Sequence, residues 1–162
     1  MGNAEPTVTY MERTRLYYRA LGYSNDYQWA HFDDVPFTRL ARPLAQSRIA
    51  LITTSSPTDR RNKDARGVKH VWSLPVANPP DRLFTDDLAW DKESTHTNDR
   101  ESFLPIAAAQ SLARDGVIAG LTEHFHGIST EYSQRKTIET DAPELLQRLR
   151  NERADGVLLF PI

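Results

Sequence analysis

His124-Phe125-His126 sets two imidazoles two residues apart. On a strand, residues i and i+2 share a face, so both rings could meet one metal ion. Two histidines alone make an incomplete metal site, and a hydrogen-bonding role explains the pair with fewer assumptions. Thr53-Thr54-Ser55-Ser56 offers four hydroxyls with their amides. Such a set holds a carboxylate or phosphate, or simply builds a turn. Asp91, His96 and Asp99 fall in one polar stretch. A histidine beside carboxylates can act as a general base; a loop held by Asx-type turns is equally economical. Neither GxGxxG nor GxxxxGK[ST] occurs, so a nucleotide-phosphate loop has no support. The chain has no cysteine. That excludes disulfides, thiolate metal sites and a cysteine nucleophile within these 162 residues.

Regular elements must bring these residues together. Thr9-Tyr10-Met11-Glu12 has the spacing of a capping box and predicts a helix through Leu16, Tyr17 and Leu21, stopped at Gly22. Tyr27 to Ser47, broken by Pro36 and Pro43, reads as an irregular aromatic arm that wraps a core. Arg48 to Thr54 reads as a strand; its unbroken Ile49-Ala50-Leu51-Ile52 run suggests burial on both faces, as in a parallel sheet. The charged stretch Asp59 to Arg66 reads as a solvated loop. Val68 to Leu74 predicts a second strand, and Leu83 to Trp90 a short one. Pro105 starts a helix through Arg114 that ends at Gly116. Val117 to Leu121 predicts a strand. Asp141 is a candidate N-cap for a helix to about Arg153 with Leu145, Leu146 and Leu149 as its buried stripe. Val157 to Phe160 is the last strand, expected to be buried on both faces.

Helices alternating with continuous apolar strands predict an α/β layered fold with a mostly parallel sheet, incomplete at its C-terminus. No linker divides the chain, so residues 1–162 read as a single domain: N-terminal helix and arm 1–47, sheet and helices 48–162. In such sheets ligands gather at the C-terminal strand ends. Thr54, Ser55 and His126 fall there, with Asp91 and His96 as further candidates to line a substrate cleft.

The 20 Lys+Arg and 22 Asp+Glu give a formal net charge of −2, which argues against a bulk nucleic-acid binder. The longest apolar runs are far too short to span a bilayer, and the N-terminus lacks the basic-then-apolar order of a secretory signal. A soluble, cytoplasmic protein without membrane attachment is the expectation.

Several segments together resemble a known family. They are Tyr10-Met11-Glu12-Arg13-Thr14-Arg15 with Tyr17 and Gly22-Tyr23; Trp29; Pro36-Phe37; and Pro43-Leu44-Ala45-Gln46-Ser47-Arg48 leading into the first strand. Further matches are Asp91 with Thr97 and Asp99, Phe103 with Pro105, Gly116-Val117-Ile118, Ala142-Pro143-Glu144-Leu145 and Ala154-Asp155-Gly156-Val157-Leu158-Leu159. In order and spacing they resemble the selenoprotein B component of the glycine, sarcosine, betaine and D-proline reductases, in particular its short D-proline-reductase-like members.

The resemblance implies reductive cleavage of a carbon–nitrogen bond in a small amine or amino acid. A carbonyl (pyruvoyl) cofactor on a partner subunit holds the amine, and a selenolate or thiolate attacks the substrate carbon. The resulting selenide–sulfide or disulfide is then reduced. In the family, the strand matching Val157 to Phe160 runs directly into that selenocysteine or cysteine, so the expected nucleophile would follow Ile162. Three explanations stand: a UGA selenocysteine codon read as stop, a natural split with the redox half on another polypeptide, or a non-catalytic scaffold homologue. A partner subunit or a homo-oligomer is expected, because a doubly buried last strand without a covering helix leaves apolar surface bare.

Overall fold

The computed structural model describes residues 9–26, 28, 31–35, 38–88, 92–130 and 133–162. Two compact units emerge, Met1–Phe37 and Thr38–Ile162. The first holds α1 (Tyr10–Ala20). The expected capping box does not form: Thr9 Oγ1 donates to Glu12 Oε2 at 3.2 Å instead, and the threonine caps no backbone amide. Gly22, at φ +88°, supplies the left-handed stop. Tyr27, Trp29, Pro36 and Phe37 of the expected arm lie outside the described residues, as do Trp90 and Asp91.

The second unit is built around β1 (Arg48–Thr53), buried from Ile49 to Thr53. One edge of β1 pairs in parallel with β5 (Gly156–Phe160), from Ile49↔Gly156 to Thr53↔Phe160. The other edge pairs in parallel first with β3 (Gly120–Leu121) and then with β4 (His124–Gly127). Arg48 faces Gly120 and Ile52 faces His126, so the neighbouring chain holds two residues more than β1 over that stretch. Thr122 and Glu123 take up this excess as a bulge. β2 (Trp72–Pro75) completes the five-stranded sheet, antiparallel to β4. The fold is therefore mixed α/β with a mostly parallel sheet, as the alternation predicts.

Period-2 alternation along β1 sorts the core into two layers. Ile49 and Leu51 pack with Trp72, Phe125, Leu104 and the Ile106 and Ala109 side of α2 (Ile106–Arg114). Ala50 and Ile52 pack with Val71 and with Leu145 and Leu149 of α4 (Ala142–Asn151). A single turn, α3 (Gln134–Lys136), enters α4 through a π-helical turn over Thr137–Asp141.

Four expectations are corrected. The strand expected from Val68 begins at Trp72 and runs antiparallel. Of Val117 to Leu121 only two residues pair, and Val117 lies exposed beyond the end of α2. Asp141 has helical dihedrals and caps nothing; it is buried, ion-paired to Lys136 Nζ at 2.6 Å. The largest correction concerns β5. Val157, Leu158 and Leu159 are 39%, 50% and 63% exposed, not buried on both faces. β5 is an edge strand with β1 as its sole pairing partner among the described residues. An unbroken apolar run signals burial only where strands flank both sides.

Candidate functional site

Parallel pairing brings the C-terminal ends of β1, β4 and β5 to one edge, with Thr53 opposite both Gly127 and Phe160. Just beyond it, Thr54 is half-buried. Its Oγ1 accepts from the Ile162 amide at 2.9 Å and donates to the Ile162 carbonyl at 3.3 Å. The second residue after β5 is thus tied to the residue after β1. Ser55 is fully buried and turned inward. Its Oγ lies 3.0 Å from Thr53 Oγ1, its amide donates to that same oxygen, and its carbonyl accepts from Trp72 Nε1 at 3.2 Å. Thr54 therefore ties the two strand ends together at this edge, whereas the Ser55 hydroxyl and amide hold the turn.

His126 is buried under α4. Its register partner on β2 is Ser73, whose Oγ lies 2.8 Å from His126 Nδ1. Ser73 Oγ also accepts from Arg148 Nη1 at 2.7 Å. Because Arg148 donates only, the serine hydroxyl proton is directed to Nδ1, and this assigns the proton of the neutral ring to Nε2. Nε2 is buried with no hydrogen-bond partner. Arg148 is held by Glu144 one helical turn away and by the Val71 carbonyl at 3.2 Å. His124 has different partners: its Nδ1 lies 2.9 Å from Glu152 Oε1, and its amide donates to Oε2 at 3.0 Å. The pair thus divides between two hydrogen-bonding roles. Among the described residues no three His, Cys, Asp or Glu side chains gather as a metal would need.

His96 is exposed and lines a separate open cleft of about 470 Å³ with Thr58, Arg82, Phe84, Lys92 and Thr97. That lining includes neither Thr54, Ser55 nor His126. Asp91, expected beside His96, lies outside the described residues. Asp99 takes the turn-forming role: its Oδ1 accepts from the Glu101 amide at 2.9 Å. Ser73 and Arg148 were not foreseen. Nothing local marks Ser73, but Arg148 falls on the Leu145–Leu149 stripe and so had to face the sheet.

Burial holds the His126 imidazole below its usual range; Glu152 opposes that shift, while Arg148 and His124 add to it. The unfolded chain therefore binds this proton more readily than the fold. Stability should be full above an unfolded imidazole pKa of about 6.5 and decline below it, by at most about 1.4 kcal/mol per pH unit, until the folded ring itself protonates. Replacing His126 by Gln should remove this component. The urea-midpoint gap between wild type and His126→Gln should be wider at pH 7.5 than at pH 5.5; an unchanged gap would contradict a buried neutral ring.

Over 149 residues, 85% of its length, the chain is 24% identical to the glycine reductase complex component B subunit gamma of Symbiobacterium thermophilum. The chain is similar to a reductase-complex subunit. It spans about a third of that relative's length, 33%. No protein-family model matches, and no solved structure matches. Among the described residues no helix is long and apolar enough to cross a membrane.

Proposed function

We propose that this chain is part of a cytoplasmic reductase subunit that takes a small amine or amino acid and serves reductive cleavage of its carbon–nitrogen bond. Similarity to the glycine reductase component B subunit over 85% of the chain carries this reading. The shared strand edge around Thr54 and Ile162 supports it, because that is where parallel sheets collect ligands. The attacking selenolate or thiolate comes from outside these 162 residues, which hold no cysteine. Attack would form a carbon–selenium or carbon–sulfur bond as the amine leaves. A second thiol then takes the selenium or sulfur, and the carbon gains a proton. A carbonyl cofactor, in this reading, belongs to a partner subunit: the Thr53 and Ser55 hydroxyls are engaged with each other and form no cradle for one. Within the chain, Thr54 is the hydroxyl nearest the chemistry, and His126 stiffens the edge from beneath.

A non-catalytic interaction subunit is the second reading, favoured by the exposed apolar side chains of β5. Ligand-dependent melting separates the two. Glycine, sarcosine, betaine or D-proline at a hundredfold excess over Kd should stabilise a binding chain by about 2.7 kcal/mol. Thr54→Val should lose that gain. No shift with any of the four would leave only the interaction subunit. The chain alone with dithiothreitol should release no amine from any of them; turnover free of contaminating enzyme would overturn the assignment of the nucleophile outside the chain.

A further inference from the structure

The charged loop between β1 and β2 is not simply a solvated face. Three cations converge there on one carboxylate oxygen: Asp87 Oδ2 lies 2.8 Å from Lys69 Nζ, 3.7 Å from Lys63 Nζ and 3.8 Å from Arg60 Nη2. We propose that Arg60, Lys63 and Lys69 form a binding site for a dianionic phosphate group.

The first support is a charge count. Three cations against one carboxylate leave a surplus of two positive charges, which a dianion matches. Lys69 alone is within hydrogen-bond distance of Asp87. Lys63 and Arg60 stand beyond it, so their N–H groups have capacity for a further acceptor. The lysines are largely withdrawn from water, with side chains 24% and 19% exposed, so their repulsion is poorly screened. The neighbouring carboxylates have other partners: Asp59 pairs with Arg61, and Asp64 with Arg66 and the His70 ring.

The second support is that the backbone forces the cations together. Lys63 and Lys69 face each other across an antiparallel bridge, a placement that like charges disfavour. The intervening turn is fastened by Asp64, whose Oδ1 accepts from the Arg66 and Val68 amides, both at 2.9 Å. Arg60 sits at φ +54°, a left-handed conformation that costs a non-glycine residue energy. Its guanidinium carbon is held 4.5 Å above the Phe84 ring. A strained arginine and an opposed lysine pair, both locked by hydrogen bonds, describe a preorganised anion site. Asp87 would orient the cations without touching the anion.

Calorimetric titration with inorganic phosphate at constant ionic strength tests this, with sodium chloride as the blank and glycerol 3-phosphate in a parallel arm. Saturable phosphate binding is expected, weakened at least tenfold by Lys63→Met. Arg61→Met, which removes a cation paired elsewhere, should change it less than twofold. Circular dichroism checks that both variants remain folded, and Lys69→Met replaces Lys63→Met if that variant does not. Tighter binding of the ester points to a phosphorylated metabolite, and tighter binding of phosphate to the free ion. No saturable heat with either ligand, or equal losses in Lys63→Met and Arg61→Met, would overturn the proposal.

Discussion

Gly127→Ala should destabilise the fold by about 3 kcal/mol, the upper part of what overpacking costs. A methyl group at Gly127 would lie 1.9 Å from Trp72 Cε2 and 2.0 Å from Nε1. The indole has no room to retreat. It lies directly across the strand pair from Gly127, meets Phe125 edge-to-face at 5.6 Å, and donates to the Ser55 carbonyl. Retreat would break that hydrogen bond and loosen the turn behind Thr54. Urea unfolding followed by tryptophan emission measures the effect. Gly116→Ala is the control: its φ of +72° disfavours a side chain, yet nothing lies within 4 Å. It should cost only about 1 kcal/mol. Equal losses at the two positions would mean that Trp72 does not cover Gly127.

Arg148→Met should cost about 2–3 kcal/mol while keeping most of the side chain's apolar stem. The loss arises from the partners left behind. The half-buried guanidinium donates to Ser73 Oγ and to the Val71 carbonyl. Charge-assisted bonds of this kind are worth about 1.5–3 kcal/mol, and an orphaned buried acceptor costs about 1–3 kcal/mol. A cycle with Ser73→Ala should show coupling of at least about 0.5 kcal/mol, since the two residues touch. Additive losses would rule out the Arg148–Ser73–His126 relay. Arg148 also helps to keep the His126 ring neutral, so the variant should lose less stability on acidification than wild type.

The centre of the sheet was legible because β1 is buried on both sides, and only a continuous apolar run suits that position. β5 carries nearly the same run, yet lies at the edge. Its local sequence cannot reveal that β3 and β4 occupy the other side of β1. The direction of β2 was hidden for the same reason: it depends on Ser73 meeting His126, 53 residues away. The juxtaposition of Thr54 and Ile162 could be read, because parallel strands starting level must finish level. Ser55 was read as a ligand group; that its hydroxyl turns to Thr53 is a pairing its spacing alone does not reveal. The cation cluster around Asp87 was obscured by its own composition. A string of alternating charges looks solvated until a bridge places Lys63 opposite Lys69.

The position of β1 at the middle of the sheet has a consequence for the order of events during synthesis. None of its partner strands begins before Gly120, and β5 begins only at Gly156. At a synthesis rate of about 5–20 residues per second, roughly 5–20 s separates β1 from its last partner. Until Gly127 has been made, the Ile49–Ile52 segment carries two unpaired backbone edges and no covering α4, and the edge taken by β5 stays open to the end of the interval. Non-local parallel pairing of this kind is slow to form and prone to association before it does. Nascent chains should therefore depend on chaperone shielding of β1. Slower translation between β1 and β5 should lower rather than raise the soluble yield.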